Sequence, residues 1–148
     1  MNGNASKKKR RKGGQMIGDS AVSVILQKAL DGTWQKQRAI ANNIANYETP
    51  GYKSVKVSFE DSLDREIQKL GKSIAETKNV SQNLEAIKKS KISVFSDNST
   101  IERTDGNNVN LELENIEMAK AQIQYQYLTR SMTDMYARMR YAISEGRK

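Results

Sequence analysis

The sequence predicts a mainly α, elongated fold. Long helices at the two ends of the chain pair in coiled-coil fashion around a small, partly flexible middle segment that has room for a short β-hairpin. Three observations carry this. Apolar residues recur at three- and four-residue intervals from Asp19 to near Asn46, and again from Leu111 to near Ser144. The stretch between is dilute in large apolar groups and rich in Lys, Ser and Asn. The single proline, Pro50, falls just beyond the first periodic region.

The first helix takes Val22, Leu26, Ala29 or Leu30, Thr33 or Trp34, Ile40 and Ile44 as one stripe, widened by Ile25. Asp19 or Ser20 serves as its N-cap, with Gly18 just outside. It runs for about 28 residues and stops near Asn46, because Pro50 pushes Thr49 into extended geometry and Pro50-Gly51 suits the centre of a type II turn. Asn42, Asn43 and Asn46 compete for backbone groups inside a helix. In the last turn before Thr49-Pro50-Gly51-Tyr52 they are set to hydrogen-bond the departing chain and fix its direction. That role is structural, since no acid, base or phosphate-cradling glycine pattern accompanies them.

Val55, Val57 and Phe59 alternate with Lys56 and Ser58, which predicts a short extended segment with one apolar face. Ser58 and Asp61 read as a capping box, followed by Phe59, Leu63, Ile67 and Leu70 at helical spacing and by Gly71 as a stop. Val80, Leu84 and Ile87 suit a short amphipathic helix. Ile92-Ser93-Val94-Phe95, a turn at Ser96-Asp97-Asn98-Ser99, and Thr100-Ile101 suit a hairpin. A segment with so little to bury is expected to stay mobile until a partner covers it.

Asp105-Gly106-Asn107-Asn108 marks a turn and Asn110 caps the last helix. Glu112, Glu114 and Glu117 near its start and Arg130, Arg138 and Arg140 near its end follow the helix dipole. Two apolar stripes run along it. Ile116, Ala119, Ile123 and Tyr127 form one, and Met118, Tyr125, Leu128, Met132, Met135 and Met139 form the other at near-heptad spacing. At about 1.5 Å per residue the two long helices measure roughly 42 and 51 Å, whereas a compact chain of about 133 residues is roughly 36 Å across. The molecule is therefore expected to be a rod. Pairing the terminal helices through one stripe leaves the Met/Tyr stripe for other subunits, and methionine adapts to contacts that differ between neighbours. The alternative is that this stripe is core, covered by the middle segment.

Composition narrows the chemistry. With no His and no Cys, imidazole acid/base work, thiol nucleophiles and N/S-ligated metals are unavailable, and the carboxylates are scattered. No enzyme, cofactor, metal or small-molecule substrate is expected. The net charge of +8 is concentrated in Lys7, Lys8, Lys9, Arg10, Arg11 and Lys12; residues 1–15 hold no acid, so residues 16–148 keep 19 bases against 17 acids. A nucleic-acid module acting through this tail is the alternative function. It predicts steeply salt-dependent binding, but no aromatic residue or recognition module adjoins it. A disordered basic extension over 1–15 is expected instead. Lys12-Gly13-Gly14 can also be encoded by a purine run resembling a ribosome-binding site, which favours Met16 as the start. No apolar run reaches the roughly 20 residues of a membrane span. The remaining divisions are an N-terminal helix over 16–47, a middle segment over 48–109 and a C-terminal helix over 110–148.

The run Ala41-Asn42-Asn43-Ile44-Ala45-Asn46-Tyr47-Glu48-Thr49-Pro50-Gly51-Tyr52-Lys53 resembles the N-terminal signature of bacterial flagellar rod and hook proteins. The runs 55–63, Gly106-Asn107-Asn108-Val109-Asn110-Leu111 and Gln124-Tyr125-Gln126-Tyr127-Leu128-Thr129 extend the similarity, and a length near 133 from Met16 fits a short proximal member. The resemblance implies terminal helices packed in the inner layer of a rod, export through the flagellar type III apparatus without signal cleavage, and assembly above the membrane-ring base, outside the cytoplasmic membrane. It also implies other rod proteins, copies of the same chain and a ring-to-rod adaptor as neighbours. On this reading Leu26, Ile40, Ile44, Ile116, Ile123 and Tyr127 hold the helix pair. Met118, Tyr125, Leu128, Met132, Met135 and Met139 face adjacent subunits.

Overall fold

The computed structural model describes residues 3–76, 79–98 and 103–145, with side chains described from Ala21 onward. In chain order the elements are α1 (Gly3–Ala45), β1 (Val55–Ser58), α2 (Glu60–Glu76), α3 (Val80–Lys89), β2 (Ser93–Ser96) and α4 (Leu111–Glu145). At about 1.5 Å per residue α1 and α4 extend over roughly 65 and 53 Å. They run antiparallel: Asn43 reaches Glu114, and Gln37 donates through Nε2 to the Ala121 carbonyl at 3.0 Å. The fold is mainly α and elongated, with long terminal helices and a small two-stranded antiparallel sheet between them.

The side of α1 facing α2 and α3 carries small residues, which lets those helices approach. Ala21, Val24 and Ala29 form one core with Phe59, Leu63, Leu70 and Ile87, joined by the half-buried Leu84 and Leu128. Phe59 lies against Gly32, where an added Cβ would come within 2.4 Å of the ring. Thr33, fully buried beside it, satisfies its hydroxyl by donating to the Ala29 carbonyl at 2.8 Å.

Several expectations are corrected. The α1 backbone is helical from Gly3, so it starts well before the anticipated Asp19/Ser20 cap and includes the basic stretch expected to be disordered. Alanine, lysine, arginine and glutamine favour helix, and Gly13-Gly14 cost only about 1 kcal/mol each. Helix α2 does not stop at Gly71 but continues to Glu76, because Gly71 takes no left-handed conformation and Ile74 and its neighbours extend the pattern. It also begins at Glu60, with the Leu63 N–H bonded to the Phe59 carbonyl at 2.8 Å, so Ser58 ends a strand and does not cap the helix. β2 pairs with β1 in the register Val55↔Ser96 to Ser58↔Ser93. The anticipated partner Thr100-Ile101 lies outside the described residues. The 80–89 helix forms, and α2 and α3 pack on each other and on α1.

The largest correction concerns α4. Glu114, Met118, Ala121, Tyr125, Leu128, Met132, Met135 and Met139 follow alternating steps of four and three, the seam of an antiparallel helix pair. This is the side that is covered, apart from Tyr125, which stays 36% exposed. Ala121 and Met135 are each 1% exposed, and Met118, Leu128, Met132 and Met139 are half-buried. The pairing role given to Ile116, Ile123 and Tyr127 does not hold: they are 53%, 68% and 71% exposed. The small Ala121 on the heptad line lets the α1 backbone come close enough for the Gln37 bond. Bulky Ile123 at that level would hold the helices apart.

Candidate functional site: a polar clasp and the outer helix faces

The segment leaving α1 and the segment entering α4 are tied by buried amides. After Ala45 the chain turns through Thr49-Pro50-Gly51-Tyr52, where the Tyr52 N–H bonds to the Thr49 carbonyl at 3.2 Å and Gly51 has φ 72°. Proline at the second position and left-handed glycine at the third make this the type II turn read from the sequence.

Asn43, 1% exposed, acts as a one-residue strand partner. Its Nδ2 donates to the Val55 carbonyl at 2.9 Å and to Glu114 Oε1 at 3.0 Å. Its Oδ1 accepts the Val55 N–H at 2.7 Å and the Tyr52 hydroxyl at 3.2 Å. All four bonds an amide can make are made. Asn46 and Asn42 sit further out: Asn46 Nδ2 donates to the Asn42 carbonyl, and the Thr49 hydroxyl donates to Asn46 Oδ1.

Asn107, with no exposed surface, is the counterpart from the other end of the chain. Its Nδ2 points at three carbonyls, those of Asn46, Tyr47 and Thr49, at 2.9–3.0 Å. Its Oδ1 accepts the Val109 N–H at 2.8 Å. Asn108 accepts from the Ser54 N–H at 2.7 Å and donates to the Asp97 carbonyl at 2.6 Å, fastening β2 to the same point. Gly51 N–H donates to the Asp105 carbonyl, Lys53 Nζ to that of Gly106, and Arg103 to that of Tyr47 while lying 4.8 Å over the Tyr47 ring. Asn110 then caps α4 through Oδ1 to the Leu113 N–H at 3.0 Å.

The electrostatics follow from this packing. Burial pushes the Glu114 carboxyl above the usual range; the Asn43 amide and Lys56 oppose the shift, and Glu117 adds to it. Burial, then the nearby Glu114, raises the Tyr52 phenol. Asp105 is held below the usual carboxylate range by the Asn107 N–H, with Arg103 adding to the effect. Lys36 bridges Glu60 and Glu117 at 3.6 and 3.5 Å, and Lys56 pairs with Asp97. These charges neutralise one another across elements. Among the described residues no group of three or more acidic ligands could hold a metal, and no helix is long and apolar enough to cross a membrane.

Of the sequence-derived residues, the structure gathers Asn43, Asn46, Thr49, Gly51 and Tyr52 into the clasp, while Asn42 and Pro50 are exposed at its edge. Ile40 is buried, and Leu26 and Ile44 are half-buried on α1. The sequence reading gave Arg103 no role, and gave Asn107, Asn108 and Glu114 turn or helix-end roles without a part in this network. An asparagine-rich turn facing an asparagine-rich helix end was the available signal, since amides in both segments can satisfy each other's backbone.

Two long antiparallel helices, sealed at one end by a fully bonded polar clasp and carrying apolar side chains on their outer faces, define an elongated structural subunit. Residues 25–53 match the family model described as "Flagella basal body rod protein". Over 133 residues the chain is 34% identical to the flagellar basal body rod protein FlgB of Bacillus subtilis (strain 168), an overlap covering 82% of this chain and 92% of that protein. It is 34% identical over 105 residues to FlgB of Buchnera aphidicola subsp. Acyrthosiphon pisum, covering 68% and 77%, and 33% identical over 106 residues to FlgB of Borrelia hermsii, covering 68% and 78%. The chain belongs to the FlgB family of flagellar basal body rod proteins. It is a structural subunit of the basal-body rod, and the family is not an enzyme family. Nothing in the comparisons favours the nucleic-acid alternative.

Proposed function

We propose that the chain builds the rod by lateral packing of its terminal helices, the outer strip Ile116, Ile123 and Tyr127 of α4 serving as the contact with neighbouring subunits. The carrying observation is that strip: three large apolar side chains between 53% and 71% exposed on a helix whose opposite side is already covered. Contiguous exposed apolar surface marks an interaction site. The inward Met118, Leu128, Met132, Met135 and Met139 hold the helix pair, and the clasp fixes its geometry. The partners are other rod proteins and copies of the chain, with a ring-to-rod adaptor and the membrane-ring base at its lower end. Delivery is through the flagellar type III apparatus to the space outside the cytoplasmic membrane.

Cysteine cross-linking tests this, because the chain has no cysteine of its own. In isolated basal bodies, Tyr127→Cys forms bonds to cysteines introduced in adjacent rod subunits, whereas Met135→Cys does not. Monomer-only products from an accessible Tyr127→Cys thiol would remove the strip from the interface.

A further inference from the structure

The outer faces of α1 and α4 carry the same pattern. On α1, Asp31, Trp34 and Arg38 follow at steps of three and four, all exposed, with Trp34 50% exposed and the Arg38 guanidinium 4.9 Å over its ring. On α4, Glu112, Ile116 and Lys120 follow at steps of four, also exposed. Each row reads acid, large apolar group, base. At about 100° per residue the two rows lie on opposite sides of the helix pair, Asp31 and Arg38 turned about 100–120° from Gln37 and Trp34 nearer the margin of the seam.

We propose that a second copy of this chain docks through these rows, α1 of one copy lying against α4 of the next. The inference rests on the rod reading, which requires neighbouring copies to point the same way. Two such rows laid parallel set acid on acid and base on base, which repels. Laid antiparallel, Asp31 meets Lys120, Arg38 meets Glu112, and Trp34 covers Ile116. Within one copy α1 and α4 are antiparallel. Copies pointing the same way therefore satisfy the charges only by setting α1 against a neighbour's α4. A row meeting its own twin would need copies pointing in opposite directions. The contact is head-to-tail, so each copy keeps one free row for the next.

The register also differs from the internal one. Inside a copy, Asn43 is level with Glu114, and Gln37 with Ala121. Across copies, Arg38 is level with Glu112 and Asp31 with Lys120. The neighbour is thus displaced along the axis by roughly seven residues, or about 10 Å at the α-helical rise, giving a rising path and not a flat ring.

The test uses full-length protein, with Gln27→Cys on one copy and Ile123→Cys on another, which extend the two rows and leave the six residues intact. Mixed under mild oxidant at high concentration, they give a disulfide dimer at least ten-fold above either variant alone. Arg38→Glu on the first copy cuts that yield at least five-fold, and Glu112→Arg on the second restores it. Absence of the mixed dimer overturns the proposal, and so does failure of the charge exchange to restore it. Dimers from Trp34→Cys alone would also overturn it, since they mark α1 against α1. Recovery of the chain in basal bodies reports on the rod reading separately: entry without this cross-link keeps the rod and discards the register, and failure to enter discards the rod.

Discussion

At Asn107 a single amide serves three carbonyls of the turn that leaves α1, with no surface exposed. Truncation takes one donor from each of those carbonyls and removes the acceptor of the buried Val109 N–H, so Asn107→Ala is expected to cost about 1–3 kcal/mol, read as a lower urea midpoint with an unchanged denaturant slope. Glu114 makes the opposite prediction. Its carboxyl is raised by burial, so the folded state binds a proton more tightly than the unfolded chain. The associated stability is fully present below the ordinary glutamate value and is lost as pH rises through the raised one. Glu114→Gln keeps an oxygen for the Asn43 amide and removes the buried charge. The variant is therefore expected to be more stable than the parent at neutral pH, with the gap shrinking as pH falls through the Glu114 range. A gap that widens on acidification, followed by thermal melts from pH 7 to 4, would reverse the sign assigned to this site.

Among the elements, two glycines in helices separate packing from propensity. Gly32 lies under the Phe59 ring, where a Cβ has no room, whereas nothing lies within 4 Å of the Cβ position at Gly71. Gly32→Ala is expected to destabilise by about 1–3 kcal/mol through overpacking, and Gly71→Ala to stabilise by about 0.5–1 kcal/mol through helix propensity. Chemical denaturation of the two variants checks both. Such contrasts also explain what the sequence could reveal. The terminal helices, the type II turn and the Asn110 cap were legible because period, proline and capping chemistry are local. The inward side of α4 was not. Ile116, Ile123 and Tyr127 look more core-like than Met118 and Met132, and only Ala121, a small residue on the heptad line, favoured the other side. The β1–β2 pairing was hidden for a related reason: it joins segments about 40 residues apart, with α2 and α3 intervening. The asparagines at 43 and 107 were visible as a helix-end residue and a turn residue. Their mutual dependence was not, because a side-chain bond to a distant backbone leaves no period.

For the molecule as a whole, assembly and folding draw on different surfaces. Ile123→Lys alters an exposed position on α4 and is expected to leave the melting temperature of the isolated chain within about 2 °C, consistent with surface substitutions. The same change is expected to abolish or severely reduce swimming in a strain relying on the variant. Soft-agar spreading beside a melting curve checks the pair. A large loss of stability would instead place Ile123 inside the subunit.

The clasp brings together residues 43–55 and 103–114, so neither half of the molecule contains a complete knot. If the polypeptide reaches its destination leading end first, Asn43 finds Tyr52 and Val55 at once, but the turn after it waits for Asn107 until nearly three-quarters of the chain has emerged. Locking is thereby deferred to the last stage of arrival. The timing is written into the order of residues.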